Sequence, residues 1–153
     1  MTIKLAQTEA DLRRCLPALL ALRPHLTEET ALALLLEQLA NDRFSVAFVD
    51  LGDDPAVAGQ TLAAPGVVTY RQMTMLVSGK TIYIDDLSTL PEARGKGYAG
   101  ALVDFVIDQA RQSGYQTVSL DSGQNPSRYD AHRLYLTKRF NITSHHFSLK
   151  LSD

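Results

Sequence analysis

The chain has 153 residues, of which 45% are hydrophobic and 21% are charged, and its formal net charge at pH 7 is −2. This length and composition are typical of one globular domain with a sizeable core, which we predict over residues 1–153. A weakly negative charge, with no run of Lys or Arg, argues against binding to nucleic acid or to anionic membranes.

The first half of the sequence predicts a strand, two helices and two further strands. Thr8 and Thr27 suit helix N-termini, and each precedes a run with apolar residues at helical spacing. Runs rich in β-branched and aromatic residues then alternate with turn residues. In chain order, we predict a strand at Thr2–Leu5, a helix from Thr8 to before Pro24, a helix at Thr27–Asn41, a strand at Phe44–Leu51, a turn at Gly52–Pro55 and a strand at Val67–Met75.

The second half predicts a strand–helix–strand unit followed by a further helix and strand. Gly114 stands where a helix C-cap glycine is expected. The predicted elements are a central strand at Thr81–Ser88, a helix at Gly97–Ser113, a strand at Thr117–Asp121, a helix at Arg128–Lys138 and one or two strands at Asn141–Leu151. The order is β-α-α-β-β-β-α-β-α-β with an optional last strand. Short turns between the earlier strands predict antiparallel pairing.

The segment Ile82–Gly100 carries two overlapping phosphate-binding motifs. Gly95–Gly100 satisfies G-x-G-x-x-G, the dinucleotide fingerprint, and an acid follows at Asp121. Arg94–Ala99 satisfies R-x-x-G-x-A. Either motif presents backbone N–H groups at the positive end of a helix dipole, which binds phosphate or pyrophosphate. A dinucleotide fingerprint starts at the end of the strand, whereas here six residues, Thr89–Arg94, intervene, and this favours the second motif.

The extended segment Leu87–Leu102 resembles the acetyl-CoA pyrophosphate loop of the GCN5-related N-acetyltransferase (GNAT) family, and the order of elements resembles that fold over nearly the whole chain. The resemblance implies an α/β fold with a mixed, mostly antiparallel central sheet flanked by helices. It also implies acetyl-CoA as co-substrate. It places the pantetheine beside Leu87, Ser88 and Thr89, and the pyrophosphate on Arg94, Gly95, Lys96, Gly97, Tyr98, Ala99 and Gly100.

A second motif, Ala131–Phe140, resembles the late A-x-x-hydrophobic-Tyr-x-x-x-Gly-Phe motif of the same family. The resemblance makes Tyr135 the proton donor to the leaving CoA thiolate, and a phenol has a suitable pKa, near 10. The alternative is a core tyrosine with a satisfied hydroxyl. Arg139 replaces the usual glycine, so the turn after the helix is expected to differ. Arg128 replaces a frequent asparagine, and we predict that it contacts a phosphate or the substrate.

Acidic residues form the third group of candidates. Asp85 and Asp86 lie in the apolar central strand, and Asp121 ends the next strand. Because strand residues alternate between faces, Asp85 is expected to share the face of Leu87, beside the thioester, and Asp86 to point the opposite way. We predict Asp85 as catalytic base or amine anchor, and Asp86 and Asp121 as substrate-binding residues. The alternative is a pair of structural carboxylates, because buried acids need partners.

The histidines and the single cysteine are not expected to form a metal site. The side chains of His145 and His146 would diverge on a strand, so we do not expect them to bind one ion, although His146 is a candidate for lining the acceptor pocket. Cys15 is predicted to pack in the core, and one cysteine excludes an internal disulfide. No run is apolar enough to span a membrane and no secretory signal is present, so a cytoplasmic location is expected.

The predicted function is transfer of an acetyl group from acetyl-CoA to a primary amine of a small molecule or peptide, by direct attack on the thioester. No Ser-His-Asp or Cys-His arrangement supplies a nucleophile. Two alternatives are a non-catalytic acyl-CoA-binding module and a nicotinamide-dinucleotide enzyme that uses the same glycine loop. The sequence leaves open the acceptor, and whether the protein is a monomer or a homodimer.

Overall fold

The structure is a computed structural model that describes residues 1–52 and 62–152. Of the turn predicted at Gly52–Pro55, residues 53–55 lie outside this description. The chain forms two compact units, Met1–Leu120 and Asp121–Asp153. The described part of the first unit holds the sheet and three α-helices, and that of the second holds one α-helix. No helix in the described ranges is long and apolar enough to cross a membrane.

Two threonine caps begin the first two helices, as the sequence predicts. Thr8 Oγ1 accepts a hydrogen bond from Asp11 N at 3.1 Å, and the Asp11 carboxylate accepts one from Thr8 N at 3.2 Å. Thr27 and Thr30 form the same reciprocal arrangement. These bonds satisfy N–H groups that have no partner inside a helix, and so fix where each helix begins. The helices are α1 (Glu9–Leu22) and α2 (Glu28–Asn41).

The described strands form a single sheet with the order β1-β2-β3-β4-β5. Neighbours pair antiparallel except for β4 and β5, which pair parallel and are connected through α3 (Tyr98–Gln112). This mixed, mostly antiparallel sheet flanked by helices confirms the predicted fold class. The strands are β1 (Thr2–Leu5), β2 (Phe44–Asp50), β3 (Gly66–Met75), β4 (Gly79–Thr89) and β5 (Thr117–Leu120).

The core of the first unit has two layers, one on each face of the sheet. Phe44, Val46 and Phe48 pack in one layer with buried residues of α1 and α2. Ala47 and Val49, which alternate with them along β2, pack in the other layer with buried residues of α3. Because consecutive strand residues face opposite sides, one apolar strand supplies both layers. The two layers are called the α1–α2 face and the α3 face below.

The second unit contains α4 (Tyr129–Thr137), which follows a 3₁₀ turn at Pro126–Arg128. The final strand predicted at Asn141–Leu151 is not found, since residues 141–152 form neither helix nor strand. A strand is defined by ladder hydrogen bonds to a neighbouring strand, and the described part of this unit contains no second strand to supply them.

Candidate active site

The glycine loop between β4 and α3 has a backbone conformation that few residue types adopt. Pro91–Ala93 form a 3₁₀ turn, Arg94 is extended, and Gly95 and Gly97 have φ angles of +78° and +83°. Residues with a Cβ rarely adopt these angles, because the Cβ crowds the backbone. An added Cβ at either glycine would meet no other described atom within 4 Å. The glycines are thus required by conformation, and open space adjoins them.

The start of α3 lies directly after this loop and lacks a side-chain cap. Gly97 is the N-cap residue, and the first intrahelical bond runs from Ala101 N to Gly97 O at 3.0 Å. The N–H groups of Tyr98, Ala99 and Gly100 precede that bond and have no partner within the helix. Their orientation and the helix dipole favour an anion. Residues 94–100, called the glycine cradle below, therefore form a site suited to phosphate.

The end of β4 extends beyond its ladder with β5. The parallel ladder reaches Ile84, which pairs with Leu120, whereas the antiparallel ladder with β3 continues to Thr89, which pairs with Gly66. Residues 87–89 therefore have β3 on one side and lie past the end of the β5 ladder on the other. A strand edge of this kind can pair with an extended amide chain. It leads directly into the turn before the glycine cradle.

A bulge in β4 determines where the two adjacent acids point. The β3–β4 register shifts at Thr69/Tyr70, and Asp85 is the extra residue in β4. Beyond the bulge, Leu87 packs in the α3 face, whereas both acids bond to side chains on the other face, as described next. The expectation that Asp85 shares a face with Leu87 is therefore wrong, whereas Asp86 points away from Leu87 as expected. One inserted residue reverses the alternation on which that expectation rested.

Asp85 is paired with Arg71 of β3. Arg71 Nε lies 2.9 Å from one carboxylate oxygen of Asp85 and 3.2 Å from the other. Arg71 also reaches Asp42, at 3.4 Å, and its guanidinium carbon lies 5.6 Å from the centroid of the Phe44 ring. Burial raises the pKa of the Asp85 carboxyl above its ordinary value, and the bonds from Arg71 oppose that effect. The carboxylate is thus held in place by a neighbouring strand.

Asp86 is held by two side chains from other elements. Arg23 Nε donates to one of its carboxylate oxygens at 2.9 Å, and Thr69 Oγ1 donates to the other at 2.6 Å. Arg23 also donates from Nη2 to the backbone carbonyl of Asp85 at 3.2 Å. Sequence reasoning missed these partners and Arg71. The available signal was physical: two adjacent acids in an apolar strand require positive or hydrogen-bonding neighbours.

Tyr135 lies on α4, where a helix-terminating motif fixes its surroundings. Phe140 N donates to Tyr135 O at 3.0 Å and Arg139 N donates to Leu136 O at 3.0 Å, the bond pattern of a Schellman motif. The Tyr135 and Phe140 rings lie 6.0 Å apart. Burial raises the pKa of the Tyr135 phenol, against an opposing effect of Arg128. A phenol that stays protonated at neutral pH suits a proton donor.

The second unit also brings together two residues predicted to bind substrate. His146 Nδ1 lies 3.6 Å from a carboxylate oxygen of Asp121. His132 Nε2 lies 3.0 Å from Ser122 Oγ and 2.8 Å from Gly123 O. No group of three or more His, Cys, Asp or Glu side chains in the described ranges is arranged to hold a metal ion.

The comparison with protein families identifies the chain. The acetyltransferase (GNAT) family model matches residues 7–141, which is most of the sequence. The chain belongs to the GNAT family. A Bacillus subtilis (strain 168) relative, the uncharacterised N-acetyltransferase YhdJ, is 44% identical over 70 residues. That match covers 45% of this chain and 48% of the relative, so it spans about half the length of each protein.

Solved structures share this GNAT fold at low sequence identity. A Trypanosoma brucei acetyltransferase has a TM-score of 0.74 at 21% identity, covering 98% of this chain and 99% of the other. A ribosomal-protein-alanine N-acetyltransferase from Brucella melitensis biovar Abortus 2308 scores 0.74 at 20% identity, and an aminoglycoside antibiotic 6'-N-acetyltransferase from Acinetobacter haemolyticus scores 0.72 at 20% identity. Each of the latter two matches covers 99% of this chain and 100% of the other.

In this GNAT chain, the predicted cofactor segment has the predicted local structure. Residues 87–100 run from the end of β4 through a turn and two glycines into α3. The roles assigned to these residues in binding CoA stay predictions, as do the roles of Arg128 and Tyr135 in the second unit. Asp85 faces differently from the expectation, and Asp85 and Asp86 are each bonded to an arginine.

Proposed function

We propose that the chain transfers an acetyl group from acetyl-CoA to a primary amine. The observation that carries this proposal is the glycine cradle, in which two residues with positive φ open onto the uncapped start of α3. A pyrophosphate is the group that such a site suits, because several N–H groups and the helix dipole act on it together. Membership in the GNAT family supports acetyl-CoA as its source.

In the proposed complex, the extended pantetheine chain lies along residues 87–89 of β4 and the pyrophosphate lies on the glycine cradle. The strand edge offers backbone groups to the amides of pantetheine. Glycine at positions 95 and 97 allows the phosphate oxygens to approach the backbone closely. This arrangement would hold the thioester at the end of β4.

The proposed reaction is direct attack of a neutral amine on the carbonyl carbon of the thioester. A C–N bond forms, the C–S bond breaks, the amine nitrogen loses a proton to a base or to water, and the thiolate of CoA accepts a proton. A backbone N–H near Thr89 would polarise the carbonyl. Tyr135 is the proposed donor to the thiolate. Asp85 is retained as a proposed base or amine anchor, although its pairing with Arg71 supports the structural alternative.

Binding of acetyl-CoA is the first test of this proposal. Acetyl-CoA and CoA should raise the melting temperature of the protein by several degrees, because a ligand at a hundred times its Kd stabilises the folded state by about 2.7 kcal/mol. NAD should have no comparable effect. Gly97→Asp should abolish the response to CoA, because it places a negative charge where the pyrophosphate would bind.

Gly114 supplies the matched control for that substitution. It also has a positive φ, +74°, and an added Cβ there would likewise meet no described atom within 4 Å. Gly114→Asp imposes the same backbone strain at the opposite end of α3, so it should lower stability and leave CoA binding unchanged. Stabilisation by NAD but not by CoA, or loss of CoA binding in both variants alike, contradicts the proposal.

Turnover separates an enzyme from a non-catalytic acyl-CoA-binding module. The two structural neighbours named for their acceptors act on an aminoglycoside and on a ribosomal-protein alanine, so the acceptor here is proposed only as a primary amine of a small molecule or peptide. A panel of such amines, followed by release of the CoA thiol, should identify at least one acceptor. If the protein binds acetyl-CoA but releases no CoA thiol with any amine of the panel, the result would favour the non-catalytic binding module.

A further inference from the structure

Arg23 connects the corner between α1 and α2 to the bulge of β4. Its own backbone is fixed on both sides: its N–H donates to Leu19 O at 2.9 Å, and its carbonyl accepts a bond from Leu26 N at 3.1 Å. It is the C-cap residue of α1. The side chain starts from this fixed backbone, and its guanidinium is held by its own bonds to β4. These bonds join the corner between the two helices to β4.

The two groups that Arg23 binds belong to the inserted residue of the bulge and to the residue that follows it. Asp85 is the inserted residue, and its carbonyl accepts from Arg23 Nη2 at 3.2 Å. Asp86 follows it, and its carboxylate accepts from Arg23 Nε at 2.9 Å. An unpaired carbonyl and a carboxylate in a largely buried strand are costly unless they are satisfied. Arg23 bonds to both groups, whereas Thr69 bonds only to the carboxylate of Asp86.

We propose that Arg23 is a positioning residue that fixes the bulge of β4 and thereby the direction of residues 87–89. This inference rests on the proposed function, in which those residues hold the thioester. The planar guanidinium is needed because it offers two N–H groups in fixed, different directions. Lysine keeps the charge but offers a single ammonium, which cannot reproduce that geometry. Arg23→Lys therefore tests geometry, with the charge retained.

Arg14 provides a matched control on the same helix. Arg14 Nε donates to the backbone carbonyl of Leu62 at 3.0 Å, and Nη2 donates to the carboxylate of Asp50 at 3.0 Å. It thus makes the same pair of bonds as Arg23, one to a carbonyl and one to a carboxylate. Its partners, however, lie at the end of β2 and before β3. Arg14→Lys loses equivalent bonds without touching β4.

The experiment compares Arg23→Lys and Arg14→Lys in hydrogen exchange and in acetyl transfer. In the protein without ligand, Arg23→Lys should increase amide exchange in residues 85–89 several-fold, whereas Arg14→Lys should leave that segment as protected as in the wild type. With an accepted amine, Arg23→Lys should lower kcat about tenfold or more while the Kd for acetyl-CoA stays within about twofold, because misplacing a reacting group by ~1 Å can cost about a hundredfold in rate.

Three results would overturn the inference. They are unchanged exchange in residues 85–89 for Arg23→Lys, wild-type kcat in that variant, and equal effects of the two substitutions on that segment and on kcat. Failure of the proposed function is distinguishable from these, because it would appear as absence of acetyl-CoA binding in the wild-type protein. The exchange measurement decides the positioning role even in that case.

Discussion

At the scale of single residues, Tyr135 combines a half-buried phenol with a ring that contacts Phe140. Burial raises its pKa, so the hydroxyl stays protonated throughout the neutral range, and the ring lies 6.0 Å from that of Phe140. Tyr135→Phe should therefore lower kcat by about a hundred- to ten-thousand-fold, the usual size of general acid catalysis, while the Kd for acetyl-CoA stays nearly unchanged. Steady-state kinetics and a binding titration measure the two quantities.

Tyr129 is the control for this substitution, because it lies on the same helix and is 48% exposed. Tyr129→Phe should leave both kcat and the affinity for acetyl-CoA as in the wild type. If Tyr135→Phe changes only the melting temperature, or weakens acetyl-CoA binding with kcat unchanged, Tyr135 is a core residue and another group donates the proton.

The acidic pair shows why some site residues could not be predicted. The alternation of side chains along β4 favoured Asp85 over Asp86 as catalytic base or amine anchor, but the bulge removes the basis of that preference. A bulge arises from how two strands pair, so it leaves no local pattern in either strand alone. The arginine that bonds to both residues, Arg23, lies about sixty positions earlier in the chain, and nothing in the sequence links it to them.

At the scale of elements, the two C-terminal helix caps provide a comparison. α3 and α4 both end in a Schellman motif, and the residue with positive φ is Gly114 in the first and Arg139, with φ of +69°, in the second. A residue with a Cβ is strained at this angle by about 1 kcal/mol. Arg139→Gly should therefore increase the free energy of unfolding by about that amount, measured by urea denaturation.

The reverse substitution, Gly114→Arg, should lower the free energy of unfolding by a similar or larger amount. Arg139→Ala is a further control, because it removes the charged side chain and keeps the Cβ. If Arg139→Ala stabilises the protein as much as Arg139→Gly does, the gain comes from the side chain and the strain argument is wrong.

These caps also show which elements could be predicted from the sequence. Thr8, Thr27 and Gly114 act through backbone groups within a few residues of themselves, so their patterns determine where helices begin and end. The glycines of the cradle are local in the same sense. The replacement of glycine by Arg139 was expected to alter the turn, but the backbone adopts the glycine conformation anyway, since the motif's two hydrogen bonds and ring contact outweigh the strain.

At the scale of the folded chain, Asp50 joins three elements of the first unit. It is 93% buried, since only 7% of its surface is exposed, and it forms ion pairs with Lys4 of β1 and with Arg14 of α1. Hydrogen bonds from these two cations lower the pKa of its carboxyl well below the ordinary value. The ionised form is therefore favoured by folding, and its pairing contributes to the stability of the unit.

This arrangement predicts a specific dependence of stability on pH. A carboxyl whose pKa is lower in the folded state contributes fully above its unfolded pKa of about 3.9, and the contribution is lost as pH falls toward the folded pKa. Asp50→Asn should therefore be less stable than the wild type by about 2 kcal/mol between pH 5 and pH 8, because it leaves Arg14 without its carboxylate. Below about pH 4 the difference in stability between wild type and Asp50→Asn should shrink progressively as the pH falls.

Urea denaturation at a series of pH values measures this difference, with Glu9→Gln as the control. Glu9 also pairs with an arginine, Arg13 at 2.7 Å, but both side chains are more than half exposed. An exposed pair of this kind contributes little, so Glu9→Gln should stay within about 0.5 kcal/mol of the wild type at every pH. A gap between wild type and Asp50→Asn that is constant down to pH 2 would show that the substitution acts through packing. In that case, the ionised carboxylate would not be what joins β1, α1 and β2.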